Sequence, residues 1–513
     1  MTTHFYLKHL LIFSFIFTSV FCSAAIRLPA IFSNNMMLQQ NSKVAVWGWA
    51  DPGEDVSITT SWNNKKVSIT TDANGKWITY VTTTKAGGPY SIVLKGTNEI
   101  KIENVLLGEV WLAGGQSNME FFVGKMPNPS YTGVVNYEQE ITTANYPEIR
   151  MIDVANKVAE EPQQDFTGDW KICSPQTADT FSAVAYFFAR AVHKATGYPV
   201  GIINATWGGT PAESWMKKEV LQGDSDFKVI LNRYAEQVNN YPTAKEAFQK
   251  ELAAWKEDTN ANKGAAPREP IGPNSGKSPY KLYNGMVAPL IPYTLRGVIW
   301  YQGENNAERA YQYRRLFPAL INSWRKDFKK PDLPFYFVQI SPHRSQIPEI
   351  REAQLLTYRN VPHTGMVVTT DNGDSLNIHP RNKKLVGERL ALWALHDVYG
   401  KKDIVFSGPL YKSMQVEGNK IRIQFDFVDG GLTAKGGAPL NEFTIAGADQ
   451  QFVPAQATIE GNEVMVWSNS VQHPVAVRFA WRNIPDPNLF NKAGLPASPF
   501  RTDNWKVATE GKN

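Results

Sequence analysis

The feature that most constrains the fold is a series of short apolar segments, each ending in glycine or polar residues. Five such segments occur along the chain: "VWLAGG", "YPVGIINATWGG", "LRGVIWYQGENNA", "LPFYFVQIS" and "TGMVVTTDNGD". Helical stretches separate them, and "TFSAVAYFFARAVHKATG" between the first two has apolar residues at helical spacing. Buried strands that alternate with helices predict an α/β fold with a doubly wound parallel sheet, whose site lies at the carboxyl ends of the strands.

The 513-residue chain is too long for one hydrophobic core, so several domains are expected. Residues 26–105 form short alternating runs divided by Gly, Asp, Asn and Pro, which predicts an all-β sandwich module. Similar alternation predicts a second β module at 401–513, which leaves 106–400 for the parallel-sheet domain. Inside that domain, residues of about 217–280 are charged and helical and then Pro/Gly-rich, which predicts an inserted helical hairpin with a loop near the site.

Residues 1–25 have the features of a cleaved secretory signal peptide. Lys8 precedes the apolar run "LLIFSFIFTSV", and small residues follow in "CSAA". That run is too short to span a bilayer as a helix, so the mature protein is expected without a membrane span, in the periplasm or outside the cell. A lipid anchor on Cys22 fits less well, because the bulky Phe21 precedes it. Cys173 would then be the remaining cysteine, which excludes an intramolecular disulfide.

Composition argues against two classes of partner. The net charge is only +5 and no dense Lys/Arg block occurs, so nucleic-acid binding is not expected. The eight histidines are too dispersed for a metal-ligand cluster, and we expect neither a metal nor another cofactor. Fifteen Trp and twenty Tyr fit β-rich cores, and they also fit surfaces that bind sugar rings.

A serine and a histidine stand where such a sheet would bring them together. Ser117, in "GEVWLAGGQSNME", lies where a strand passes into a helix, and N–H groups there can stabilise a developing anion. Met119 excludes the G-x-S-x-G elbow, and a simple helix cap is the alternative role. A nucleophilic serine needs a base, and His379 in "DNGDSLNIHPRNK" follows the last strand. An exposed loop histidine is the alternative there.

Two further loops offer hydrogen-bond donors for the oxyanion of an acyl-transfer reaction. "NATWGGTPAESW" has backbone N–H groups at Gly208 and Gly209 with no Cβ to block approach. "YQGENNA" has the side-chain amides of Gln302, Asn305 and Asn306.

Five motifs in one order carry a family resemblance: "GQSNM", "GGTPAESW", "LYNGMVAPLIP", "GVIWYQGENNA" and "IHPRNK". From about residue 105 to 400, the chain resembles the sialate O-acetylesterase family of the SGNH hydrolase superfamily. The resemblance implies a flavodoxin-like SGNH core and metal-independent hydrolysis of acetyl esters on sugars. It further implies that Ser117 is the nucleophile and His379 the general base.

For the oxyanion hole, the resemblance implies the N–H groups of Ser117 and Gly209 and the side-chain amide of Asn306. Asn305 stands where the family usually has a small residue, so Asn305 and Gln302 remain alternatives to Asn306.

The family's usual aspartate before the histidine is missing, since Leu376 and Asn377 occupy its places. Asp374 is the first choice for the acid of the triad. Asp371 and Glu304 come next, and a Ser–His dyad supported by a backbone carbonyl is the remaining alternative.

The leading hypothesis is a secreted carbohydrate O-acetylesterase, specifically a sialate (9-)O-acetylesterase that works through an acyl-serine. A deacetylase of plant polysaccharide such as xylan is the first alternative. A non-catalytic glycan-binding protein on a hydrolase scaffold is the second. A sialate carboxylate would favour a nearby arginine, and Arg344, Arg381 and Arg309 are the candidates.

Overall fold

The computed structural model describes residues 25–128, 131–258, 264 and 266–513. Cys22 and almost all of the expected signal peptide lie outside these residues, so that expectation stays a prediction. In the described part of the chain, no helix has the length and apolar character that a bilayer span requires.

An N-terminal β module opens the fold. Several of its strands alternate buried and more accessible positions, as in "DVSITT", because one face packs inward and the other faces solvent. One sheet follows the order β4-β3-β6-β7-β1, and β2 and β5 pair separately as an antiparallel ribbon. The strands are β1 Met37–Gln39, β2 Lys43–Trp49, β3 Asp55–Thr60, β4 Lys66–Thr70, β5 Lys76–Thr82, β6 Gly87–Lys95 and β7 Glu99–Gly115.

Strand β7 belongs to two sheets at once. Its first half pairs antiparallel with β6, and its second half is the central strand of the parallel sheet that follows. The apolar core is also continuous, since one cluster contains Ile58 of the module and Trp111 of the central sheet. The domain boundary expected between residues 105 and 106 therefore falls inside strand β7. No linker separates the two parts there, because the backbone groups of the strand form hydrogen bonds with its neighbours.

The central sheet has the order β13-β12-β11-β7-β10-β8-β9. All pairs are parallel except the edge pair of β8 and β9. Its further strands are β8 Tyr146–Asp153, β9 Trp170–Cys173, β10 Val200–Thr206, β11 Gly297–Tyr301, β12 Phe335–Val338 and β13 Thr364–Val367. The predicted α/β architecture with a central, mostly parallel sheet is confirmed.

Helices cover both faces of this sheet. On one face, Trp111 contacts Phe188 of α3 with ring centroids 5.0 Å apart. On the other face, Trp300 contacts Trp324 of α6 at 5.5 Å. The helices are α1 Ser117–Glu120, α2 Tyr137–Thr142, α3 Ala183–Thr196, α4 Lys218–Gly223, α5 Ser225–Glu257, α6 Ala310–Asp327, α7 Pro348–Asn360 and α8 Lys383–Asp397. Shorter turns of 3-10 helix occupy Ala178–Thr180, Ala212–Trp215, Ala288–Leu290, Glu304–Arg309 and Lys435–Gly437, and a π-helical turn occupies Tyr283–Val287.

The insertion differs from the expected helical hairpin. One 33-residue helix, α5, runs through Pro242, and only the short α4 precedes it. After α5, the described residues 266–280 return to the domain without a second long helix. Pro242 does not end the helix in this structure.

The C-terminal β module has a core of its own, which includes Ile423, Ile445 and Phe479. Its last residues contact the central domain: Glu349 of α7 accepts hydrogen bonds from the backbone N–H groups of Ala508 and Thr509. The strands form three antiparallel sheets: β14-β15-β20-β19, β18-β17-β21-β23 and β16-β22. They are β14 Leu410–Glu417, β15 Lys420–Asp426, β16 Leu432–Ala434, β17 Phe443–Ala446, β18 Val453–Pro454, β19 Gln456–Glu460, β20 Glu463–Trp467, β21 Ala476–Phe479, β22 Leu489–Asn491 and β23 Phe500–Arg501.

Candidate active site

A cavity of about 830 Å³ opens at the carboxyl ends of the central strands. Ser117 reaches it from the end of β7, Gly209 from the loop after β10, Asn305 from the loop after β11 and His379 from the loop after β13. Four separate strand ends thus converge on one space, as the parallel topology requires.

Ser117 stands two residues after a close approach between the paired parallel strands β7 and β11. Gly115 has φ +133°, and a Cβ added there would lie 2.2 Å from the carbonyl oxygen of Tyr301. Only glycine fits this position, so the chain turns sharply and α1 begins at Ser117. Ser117 is 7% exposed, and its backbone N–H donates no hydrogen bond to another described residue.

His379 is held in the neutral form. Burial lowers its pKa to about 4, and the charge of Lys383 and then that of His343 act in the same direction. Its ring stacks on Tyr131 with centroids 4.5 Å apart, and its backbone N–H donates to the Asn377 side chain at 2.9 Å. A neutral imidazole at pH 7 can accept a proton, which is the state a general base needs.

Tyr131 lies between the serine and the histidine, and the sequence motifs do not point to it. Burial raises its pKa to about 12, while a hydrogen bond with Ser117 acts in the opposite direction. The tyrosine comes from the loop between α1 and α2, where no motif or periodicity marks it. It therefore contacts both predicted catalytic residues, through its hydroxyl and its ring.

The structure does not bring Asp374 to His379. The Asp374 carboxylate accepts the backbone N–H groups of Leu376 and Asn377 at 2.8 and 3.0 Å, which lowers its pKa and shapes the loop. An aspartate in such a turn binds its own backbone first. The Nδ1 atom of His379 is buried and has no hydrogen-bond partner among the described residues.

The two alternative acids are also engaged elsewhere. Asp371 forms a two-bond ion pair with Arg389 of α8, at 2.7 and 2.8 Å. Glu304 accepts a hydrogen bond from Asn118 at 2.6 Å, and its second carboxylate oxygen is buried without a partner in the described part of the chain. Among the described residues, none of the three carboxylates hydrogen-bonds His379, and no backbone carbonyl accepts from its Nδ1 atom either.

A buried polar network lies beside the serine and the histidine. Asn118 donates to Glu304 and to the carbonyl of Ile378, and it accepts from the ammonium of Lys383. Burial lowers the pKa of Lys383 to about 7 and raises that of Glu304, and their mutual attraction opposes both shifts. Because Ile378 precedes His379, this network ties the histidine loop to the helix that begins at Ser117.

Asn305, not Asn306, lines the cavity. The Asn306 amide is 1% exposed and donates to Glu213 at 2.7 Å, while its oxygen accepts from the Ala212 N–H and from Gln302. The expectation that Asn306 completes the oxyanion hole therefore does not fit the structure. Gln302 is fully buried and engaged in the same network, which excludes that alternative as well.

Gly209 meets the remaining expectation for an oxyanion donor. Its φ of +70° favours glycine, its carbonyl accepts from the Asn305 side chain at 2.7 Å, and its N–H has no partner among the described residues. The N–H of Gly208, by contrast, donates to Glu120 at 2.9 Å. Among the described residues beside Ser117, the N–H groups of Ser117 and Gly209 and the second amide hydrogen of Asn305 are thus donors without an acceptor.

The candidate arginines for a substrate carboxylate are used in other contacts. Arg309 donates to Glu213 at 2.8 Å, and Arg381 donates to the carbonyls of Gly133 and Val134. Arg344 does not line the cavity. Within the described residues, no group of three or more His, Cys, Asp or Glu side chains could hold a metal ion.

Comparison with known proteins identifies the family of this chain. The family described as "Carbohydrate esterase, sialic acid-specific acetylesterase" matches residues 107–254 and 274–396, more than half of the chain. The chain belongs to this family. The predicted membership is confirmed, and with it the class of enzyme, a carboxylic ester hydrolase of the carbohydrate acetylesterase type.

Similar proteins cover most of the chain. The sialate O-acetylesterase of Rattus norvegicus is 31% identical over 435 residues, 76% of this chain and 77% of that protein. The sialate O-acetylesterase of Homo sapiens is 28% identical over 525 aligned positions, 92% of each chain. The crystal structure of a carbohydrate acetylesterase from Xanthomonas citri has a TM-score of 0.79 and 35% identity, and it covers 94% of this chain and 100% of that one.

Proposed function

We propose that the protein is a secreted sialate O-acetylesterase on an SGNH, flavodoxin-like scaffold. The observation that carries the proposal is the cavity in which Ser117, neutral His379 and free backbone N–H donors meet. Membership in a family of sialic acid-specific acetylesterases supports the acetyl group and the sugar. The secretory signal proposed for residues 1–25 supports a location outside the cytoplasm.

The reaction proceeds in two halves. His379 accepts the proton of the Ser117 hydroxyl while Ser117 Oγ attacks the acetyl carbonyl carbon, and a tetrahedral oxyanion forms. The N–H groups of Ser117 and Gly209 donate to this oxyanion, with the Asn305 amide beside them. The C–O bond to the sugar breaks, and His379 returns its proton to the departing sugar oxygen.

The second half releases acetate. His379 takes a proton from water, whose oxygen attacks the acyl-serine, and a second oxyanion forms at the same donors. The bond to Ser117 Oγ then breaks and the serine regains its proton. Tyr131 stacks on the imidazole and hydrogen-bonds Ser117, so it orients both partners through this cycle.

The proposal is tested by acetate release from O-acetylated sialic acid and from acetylated xylo-oligosaccharide. Ser117→Ala is expected to abolish release, and Ser68→Ala, at an exposed position of β4, serves as the matched control. Equal rates in wild type and Ser117→Ala would contradict the proposed nucleophile.

A neutral polysaccharide is the second candidate substrate, because the 35% identical Xanthomonas citri protein is described more broadly as a carbohydrate acetylesterase. Faster acetate release from the acetylated xylo-oligosaccharide than from O-acetylated sialic acid would favour the neutral polysaccharide as the substrate.

A further inference from the structure

Two cations of the insertion line the catalytic cavity without a counter-ion. Arg268 and Lys277 lie in the Pro/Gly-rich part of the insertion that returns from α5 to the domain. Among the described residues, neither forms an ion pair, whereas Arg309 in the same wall is paired with Glu213. Two cationic side chains at the cavity thus lack an ion-pair partner among the described residues.

The carboxyl groups in the cavity do not serve as partners for these cations. Glu120 accepts the Gly208 N–H, and Glu304 accepts the Asn118 amide. Burial raises the pKa of both carboxyl groups. The third, Glu308, is exposed at the rim and reaches neither cation within ion-pair distance.

The segment that carries Lys277 is fixed against the domain. Gly272 packs on the ring of Tyr241, and Gly276 packs on Trp207, where an added Cβ would lie 2.4 and 3.1 Å from ring atoms. The Ser278 hydroxyl closes the turn by donating to the Gly272 carbonyl at 3.1 Å. Neighbouring contacts thus hold Lys277 in place rather than leaving it on a free loop.

Lys277 stands beside the predicted oxyanion donor. Its Cε atom lies 4.0 Å from the position that a Cβ on Gly209 would take. The Lys277 side chain therefore lies in the same cavity as this donor. A substrate that brings a negative charge of its own would meet both cations there.

We propose that Arg268 and Lys277 bind the carboxylate of an O-acetylated sugar acid and so select it over neutral acetylated sugars. This inference rests on the proposed esterase function and names its specificity-determining residues. Arg268 lies between the two stretches that match the family, whereas Lys277 lies within the second stretch. The selection is therefore partly a property of this chain's own insertion.

The test compares two substrates that differ only in charge, O-acetylated sialic acid and its methyl ester at the sugar carboxyl. Acetate release gives kcat/KM for each. In Arg268→Gln and in Lys277→Gln, the ratio of acid to methyl ester is expected to fall about tenfold, as for loss of one charge-assisted hydrogen bond. Lys228→Gln, an exposed lysine of α5, is expected to keep the wild-type ratio.

The inference is overturned if both variants keep the wild-type ratio of kcat/KM for the acid to kcat/KM for the methyl ester. This includes an equal loss of kcat/KM on both substrates, which would place Lys277 at the acetyl ester instead of the carboxylate. If the wild type releases no acetate from O-acetylated sialic acid, the proposed function is wrong, independently of the role of the two cations. The cations are then tested by inhibition of p-nitrophenyl acetate hydrolysis. Stronger inhibition by sialic acid than by its methyl ester, lost in the variants, supports the inference, and equal inhibition overturns it.

Discussion

At the scale of single residues, the site depends on which of two adjacent asparagines faces the cavity. The 3-10 turn Glu304–Arg309 points consecutive side chains in different directions. Asn305 therefore lines the cavity, while Asn306 turns inward to Glu213. The motif "YQGENNA" contains both residues and cannot distinguish these roles.

Replacing each asparagine by alanine is expected to affect a different property. Asn305→Ala removes a polar group at the cavity, so kcat should fall by about 10²-fold with little change in stability. Asn306→Ala removes one donor to the buried Glu213, which Arg309 still contacts, so the free energy of unfolding should fall by about 1–3 kcal/mol. Steady-state kinetics and urea denaturation of both variants check this. The reverse pattern would return the catalytic role to Asn306.

The low pKa of His379 predicts an unusual pH profile. Because the His379 imidazole stays neutral down to about pH 4, its protonation should not lower kcat/KM for p-nitrophenyl acetate between pH 7 and 5. The rate should reach half its plateau near pH 4. Half-maximal activity near pH 6.5, the ordinary value for histidine, would show that the imidazole is not buried as described.

The same shift predicts a loss of stability with acid. In the unfolded chain His379 takes up a proton near pH 6.5, but in the folded protein only near pH 4. Protonation thus favours the unfolded state, and the contribution of His379 to stability falls as pH decreases through this window, by at most about 1.4 kcal/mol per pH unit. His379→Gln should have a shallower slope of unfolding free energy against pH than wild type, and equal slopes would contradict this.

At the scale of elements, the crossing of α3 and α8 depends on a glycine. A Cβ added at Gly387 would lie 2.6 Å from the carbonyl oxygen of Val184, which is backbone and cannot move freely. Helix α8 begins four residues after His379, so this crossing also sets the position of the histidine loop. The close approach explains how a helix with little apolar periodicity still packs tightly.

Gly387→Ala is expected to lower the free energy of unfolding by about 1–3 kcal/mol, because the added methyl group overpacks the helix crossing. Gly223→Ala is the matched control, since nothing lies within 4 Å of a Cβ added at that end of α4. The control should be neutral or slightly stabilising. Denaturant unfolding monitored by circular dichroism measures both, and equal effects would argue against the tight crossing.

At the scale of the whole molecule, the β modules relate differently to the catalytic domain. The N-terminal module shares strand β7 and one continuous core with it, whereas the C-terminal module has a separate core. Two residues, each fully buried in one of the modules, test this difference: Ile58 and Ile423.

Ile58→Ala should lower the temperature at which esterase activity is lost, since removing a buried isoleucine side chain costs about 2–5 kcal/mol in the shared core. Ile423→Ala should have a smaller effect on activity, because its cost falls on a separate core. Calorimetry together with residual activity after heating measures both. Equal loss of activity in the two variants would show that the modules unfold together.

Much of this protein follows from its sequence alone. Apolar strands that end in polar loops predicted the central sheet, and because parallel strands end at one edge, they also predicted that Ser117 and His379 meet. The glycines at the end of β7 and after β10 marked the places where the backbone turns and exposes N–H groups. These are local properties of a few consecutive residues, so the sequence determines them.

Tertiary structure decided the rest. Tyr131, Arg268 and Lys277 reach the cavity from segments with no motif. A loop of the insertion was expected near the site, but which of its side chains line the cavity depends on how distant loops pack. Asp374 binds its own turn instead of His379, and Asn305 takes the place expected for Asn306. The direction of a side chain in an irregular loop follows from competing contacts across the fold, and a linear pattern does not contain those contacts.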